Sequence, residues 1–198
     1  MHDRDARWIQ WWCAPWQSAH PSWMALFAER SGLPVVDAQQ LLRGRHDAFL
    51  QSVGITPSQP PEPPASWVQW LMLNADQQRE ALTLAGSICL GPAANRPVLI
   101  ADDQSRADRW PEEHALRHEA WCRSVAKALR PGVWLAPSIN DPRLLLAAWA
   151  GEACWSRLRL SWAPDEIQQN AIEPPVAELP PNKLQTLWQS VLWRVTSA

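Results

Sequence analysis

The chain has 198 residues, 46% of them hydrophobic, which is enough apolar material for a single globular domain with a sizeable core. Only 19% of residues are charged and the formal net charge is −2, so there is no bulk electrostatic footprint for nucleic acid. Fifteen tryptophans stand beside two phenylalanines and no tyrosine. The chain therefore does its aromatic packing with indoles, each a large apolar body carrying one N–H donor, and tryptophan is also enriched where proteins grip one another.

At the start, Trp8, Trp12 and Trp16 fall at i, i+4 and i+8, with Trp11 one turn from Trp8. On a helix this is one continuous indole face, readable as core packing or as an anchor for another protein. The charged start Met1-His2-Asp3-Arg4-Asp5 precedes no apolar run of signal-peptide or membrane-span length, so a cytoplasmic protein without direct membrane insertion is expected. Ser22 to Arg30 reads as a helix bearing Trp23, Leu26 and Phe27, stopped by Gly32. Asp37 is expected to cap a helix running to about Val53 through Leu41, Leu42, Phe49 and Leu50.

A proline-rich break, Thr56-Pro57-Ser58-Gln59-Pro60-Pro61-Glu62-Pro63-Pro64, follows. Proline fixes φ and removes a backbone donor, so neither helix nor central strand survives there. Its composition suits a ligand for an aromatic groove, but it reads more simply as a plain semi-rigid connector. Ser66 then caps a short piece with Trp67, Trp70 and Leu71, and Asp76 opens a helix ending at Gly91-Pro92. Pro111 suits the first position of a long helix through Trp121, Cys122, Val125 and Leu129. Asn140-Asp141-Pro142 begins the next, with Leu145, Leu146 and Trp149. Trp155 to Trp162 is expected as helix through about Leu158 with an extended exit, although its later residues alternate like a strand whose one possible partner is Val98-Leu99-Ile100. A second proline-rich break, Glu173 to Pro181, precedes a last helix for which Asn182 and Gln185 have capping-box spacing. The expected fold is all-α or nearly so: one multi-helix domain with short irregular segments, divided into a Trp-rich stretch 1–55, a linker 56–66 and a main body 67–198 packed with the first.

Catalytic motifs are sparse. His114, His118 and Cys122 stand at i, i+4 and i+8 on one helix. The outer two are about 12 Å apart at 1.5 Å rise per residue, too far for one metal. His118 sits in the apolar stripe and reads more simply as a satisfied core histidine; a metal-dependent enzyme using His114 or His118 is the third functional reading. No G-x-S-x-G or phosphate-cradling loop occurs. Cys13, Cys89, Cys122 and Cys154 form no C-x-x-C pair, and reduced thiols are expected. No enzyme activity, metal or cofactor is expected. Seven bases against three acids from Arg117 to Arg159, then four acids and no base from Leu160 to Asn182, could guide docking on a charged partner.

The run Leu144-Leu145-Leu146-Ala147-Ala148-Trp149, then Cys154-Trp155-Ser156-Arg157-Leu158-Arg159-Leu160 before Pro164, resembles the SctK family of bacterial type III secretion. Arg96 to Ala101 and the last helix from Leu184 are similar to the middle and end of that family, so the resemblance covers roughly residues 70–198. It implies a non-enzymatic helical adaptor of the sorting platform, peripheral at the inner-membrane base of the injectisome, linking the ring protein SctD to the platform protein SctQ. From the alternation, Arg157 and Arg159 are expected to face outward beside buried Leu158 and Leu160. With Trp8, Trp11, Trp12 and Trp16 they form the candidate partner-binding set. A secretion chaperone or other helical protein-binding regulator is the alternative.

Overall fold

Proline and glycine punctuate the chain into helices. The computed structural model describes residues 2–91, 110–169 and 179–197, with backbone alone for 2–3, 110–117 and 169. In chain order the helices are α1 (His2–Cys13), α2 (Pro21–Ser31), α3 (Val35–Gly44), α4 (His46–Ser52), α5 (Ala65–Met72), α6 (Ala75–Cys89), α7 (Trp110–Leu129), α8 (Pro131–Trp134), α9 (Pro142–Leu158), α10 (Pro164–Gln169) and α11 (Pro181–Thr196). Single 3-10 turns cover Pro15–Gln17 and Arg159–Ser161, and no strand occurs among the described residues. The fold is all-α.

Local chemistry sets most boundaries. Gly32 ends α2 with φ 64°, a left-handed conformation that favours glycine. Asn74, rather than Asp76, caps α6 through a reciprocal capping box with Gln77. The helix expected from Asp37 to Val53 is two helices, because the chain leaves helical geometry at Arg45 (φ −138°, ψ 68°) directly after Gly44. The last helix begins on Pro181 with no side-chain cap, so the Asn182–Gln185 box does not form. Arg159–Ser161 coils into a 3-10 turn where an extended exit was expected, and Trp162 after it is extended. Val98-Leu99-Ile100, Arg96 to Ala101 and most of the second proline-rich break lie outside the described residues.

The chain divides into two compact units, Met1–Leu71 with Ala150–Ile172, and Met72–Trp149 with Glu173–Ala198. This differs from the expected division in two respects. The linker expected at 56–66 and the start of the expected main body, 67–71, belong to the first unit, and the chain returns to that unit after Trp149. The return falls at Gly151, whose φ of 71° and ψ of 164° interrupt α9.

In the first unit, α2, α3 and α4 close over Met24, Phe27, Ala38, Leu42, Phe49 and Leu50, with Phe27 and Phe49 edge-to-face at 5.9 Å. Leu160 joins this core from the returning segment. The His20 amide donates to the Leu160 carbonyl at 2.7 Å and the Trp23 indole to the Trp162 carbonyl at 2.8 Å. In the second unit, α6 packs on α7 and α11. Leu145, Leu146, Leu187, Trp188, Val191 and Leu192 are buried, and Trp149 stacks on Trp188 at 5.5 Å.

Candidate functional site

The first unit brings the N-terminal indoles together with the proline-rich segment. Trp8 and Trp12 lie 5.4 Å apart, Trp11 stacks on Trp8 at 5.4 Å, and Trp67 of α5 adds a ring 5.9 Å from Trp11. A proline-rich segment has no internal hydrogen bonds to absorb its carbonyls. The indoles supply donors: Trp8 donates to the Pro61 carbonyl at 2.8 Å and Trp12 to the Ser58 carbonyl at 3.0 Å. Residues 56–64 are thus a strap over α1. Pro60 and Pro63 are half-buried, whereas Pro57, Pro61 and Pro64 are exposed. Trp16 is half-buried against the α2–α4 core, and its indole N–H has no partner.

The outward orientation expected of Arg157 and Arg159 is corrected. Leu158 and Leu160 are buried as the alternation implied, but Arg157 is only 3% exposed. Residues 154–158 are still helical, so alternate positions do not point to opposite sides. The Arg157 guanidinium lies 3.8 Å over the Trp12 ring, Nε donating to the Trp12 carbonyl (2.9 Å) and Nη1 to that of Ala153 (3.1 Å), while Nη2 has no partner. Burial pushes the Arg157 pKa down. It also pushes the Cys154 thiol up to about 11, against the pull of the Trp67 hydrogen bond and the Arg157 charge. Arg159 is half-buried over Trp23 at 5.7 Å, with Nη2 donating to the Val53 carbonyl at 2.7 Å. Trp8, Trp11, Trp12 and Arg157 therefore form one cluster, and Trp16 and Arg159 belong to the neighbouring core.

The second unit has a buried polar centre. Arg194 Nε donates to His118 Nδ1 at 3.1 Å, and His118 Nε2 faces Glu80 Oε1 at 3.1 Å. His118 is a buried core histidine, 2% exposed, lying between Arg194 and Glu80, and Arg194 also lies 5.7 Å over Trp121. The His114 side chain is outside the described residues, among which no three His, Cys, Asp or Glu side chains converge as a metal site. A groove of about 340 Å³ between α7 and α11 is lined by Ser124, Val125, Thr186, Ser190, Asn182 and Lys183. The four cysteines are free thiols; burial raises Cys89 to about 12 and Cys122 to about 11.

Among the described residues, eight large apolar side chains are exposed, Ile9, Leu41 and Met72 among them. In the first unit Leu33, Val35 and Val36 are exposed at the α2–α3 connection. In the second, Val133 is 82% exposed and Trp193, on α11, is 60% exposed. Trp193 is the one described tryptophan offered largely to solvent. Two of the seven bases counted between positions 117 and 159, Arg143 and Arg157, are buried, which reduces the positive surface available for docking. No described helix is long and apolar enough to cross a membrane.

No protein-family model matches the chain, and no curated protein or solved structure matches it.

Proposed function

We propose that this protein is a non-enzymatic scaffold adaptor of a bacterial type III secretion system, of the SctK kind, that joins an SctD-like ring protein to an SctQ-like platform protein at the inner-membrane base of the apparatus. The observation that carries the reading is the placement of the segment bearing the resemblance. Leu144 to Ala147, Cys154, Trp155, Leu158 and Leu160 are all buried along α9 and the turn after it, and this segment contributes to the core of both units. Core residues are what a shared fold constrains, so a signature made of them favours common architecture over chance surface likeness. Each unit also offers an exposed apolar spot, Leu33-Val35-Val36 in one and Trp193 in the other, which suits a protein with two partners.

Co-purification with the SctD- and SctQ-type proteins of the same host tests the reading, and failure with both, using folded protein, overturns it. Trp193→Ala should weaken one of the two associations by at least about tenfold, as loss of an interface tryptophan does, while thermal stability stays within about 0.5 kcal/mol of wild type. Val36→Asp should act on the other. Recovery of a small secreted client instead would favour the chaperone reading.

A further inference from the structure

We propose that the indole face of α1 is a receptor for proline-rich segments, occupied in this fold by the chain's own strap, and that a partner's segment with P-x-x-P spacing exchanges with it. The inference stands on the first unit alone and does not depend on the adaptor reading.

The register argues for it. Polyproline II repeats every three residues. The two carbonyls taken by indole donors, Ser58 and Pro61, are three apart, and so are the two half-buried prolines, Pro60 and Pro63. The strap therefore presents one carbonyl row to α1, and its half-buried prolines keep the same three-residue repeat, the pattern of a proline-rich ligand on an aromatic-lined groove. The receptor side is equally regular. Trp8 and Trp12 are one turn apart on a helix, with Trp11 and Trp67 as flanking rings. Arg157 holds Trp12 from behind through its ring and its carbonyl, so the donor is positioned by groups other than the strap.

The attachment is also light. Residues 56–59, 61, 62 and 64 are exposed, and the bonds found between strap and α1 side chains are the two indole hydrogen bonds. Each such bond contributes only about 1 kcal/mol net. Recognition uses main-chain carbonyls and prolines, which any P-x-x-P segment of another protein supplies equally. The tether gives the strap an effective concentration on the order of millimolar, so the site is held in cis and accepts an outside segment when the strap is weakened or the outside segment is abundant.

The test uses the full chain and a synthetic peptide of residues 55–65, with indole N–H resonances as the readout. In a Pro60→Ala/Pro63→Ala variant the peptide should shift the Trp8 and Trp12 signals while leaving Trp188, whose indole bonds to the Leu145 carbonyl, unmoved. Its affinity for the variant should exceed that for wild type by at least about tenfold, because the competing strap is weakened. No shift in either protein at about millimolar peptide overturns the proposal, as does equal binding by a peptide with its prolines replaced by alanine. Wild-type protein supplies a second measurement should the variant fail to fold. The Trp8 and Trp12 indole protons should exchange with solvent at least about tenfold faster than that of Trp23, which bonds to the Trp162 carbonyl in the same unit. Exchange of all three at the rate of global unfolding means the strap does not open and overturns the proposal.

Discussion

Arg143 and Arg157 stand near opposite ends of α9, both almost fully buried, and their charges are met in different ways. Arg143 has its own acid two residues before it. Asp141 accepts from Arg143 Nε at 3.1 Å and Nη2 at 2.7 Å, and also from the Arg143 amide at 2.8 Å, so one carboxylate caps the helix and neutralises the cation. Arg157 has two carbonyls and the face of Trp12. With no carboxylate paired to it among the described residues, this buried cation is held by dipoles and a ring quadrupole, a weaker arrangement that leaves Nη2 unbonded. The contrast shows that burial of an arginine does not identify its role. One is a closed pair that supports a helix start; the other positions a tryptophan.

The strongest way to break the contrast is Asp141→Ala, which removes a cap and strands Arg143 as a buried charge. A loss of about 3–5 kcal/mol is expected by urea denaturation. Asp141→Asn keeps a capping acceptor and should fall between that variant and wild type. Next in size is Gly151→Ala, between the two arginines. A Cβ there meets nothing within 4 Å, so the effect is backbone strain alone. With φ at 71° and ψ at 164°, a loss of about 1–3 kcal/mol is expected in the same assay.

The Arg157 end should also respond to base. The Cys154 pKa is raised from an ordinary value of 9.0 to about 11. Its stabilising contribution is therefore full below about pH 9 and is lost as pH rises toward 11, because the unfolded chain releases that proton first. Cys154→Ala should flatten part of the alkaline fall in urea midpoint, and Cys89 and Cys122 contribute in the same direction.

Helices were legible in the sequence where a local signal sufficed. Gly32, Pro111, and Asn140-Asp141-Pro142 mark boundaries through chemistry within a few residues, and the structure follows them closely. His118 was readable as core because its helical neighbours were apolar. The candidate site was legible only in its parts. The Trp8–Trp12 spacing and the proline-rich break were both visible, but nothing local says that one binds the other, since the bonds join residues 53 and 46 positions apart. Alternation does not place Arg157 for the same reason: its ring partner is 145 residues away, and the segment that carries it is still helical. The capping box expected at Asn182 fails because the prolines before it already fix the helix start.

The smallest expected effect separates the two arginines most sharply. Arg157→Met keeps an unbranched chain of similar length over Trp12 and removes a buried cation that has no anion among the described residues. It leaves the Trp12 and Ala153 carbonyls without those donors, a penalty of the same order as the relief from desolvation. The two terms oppose each other, so the net change should lie within about 1 kcal/mol of wild type by urea denaturation. A loss as large as that of Asp141→Ala would mean that Arg157 is paired with an anion in solution, and the distinction between the two ends of α9 would fall. A near-neutral result combined with a shifted Trp12 indole signal would assign Arg157 to positioning that ring rather than to stability.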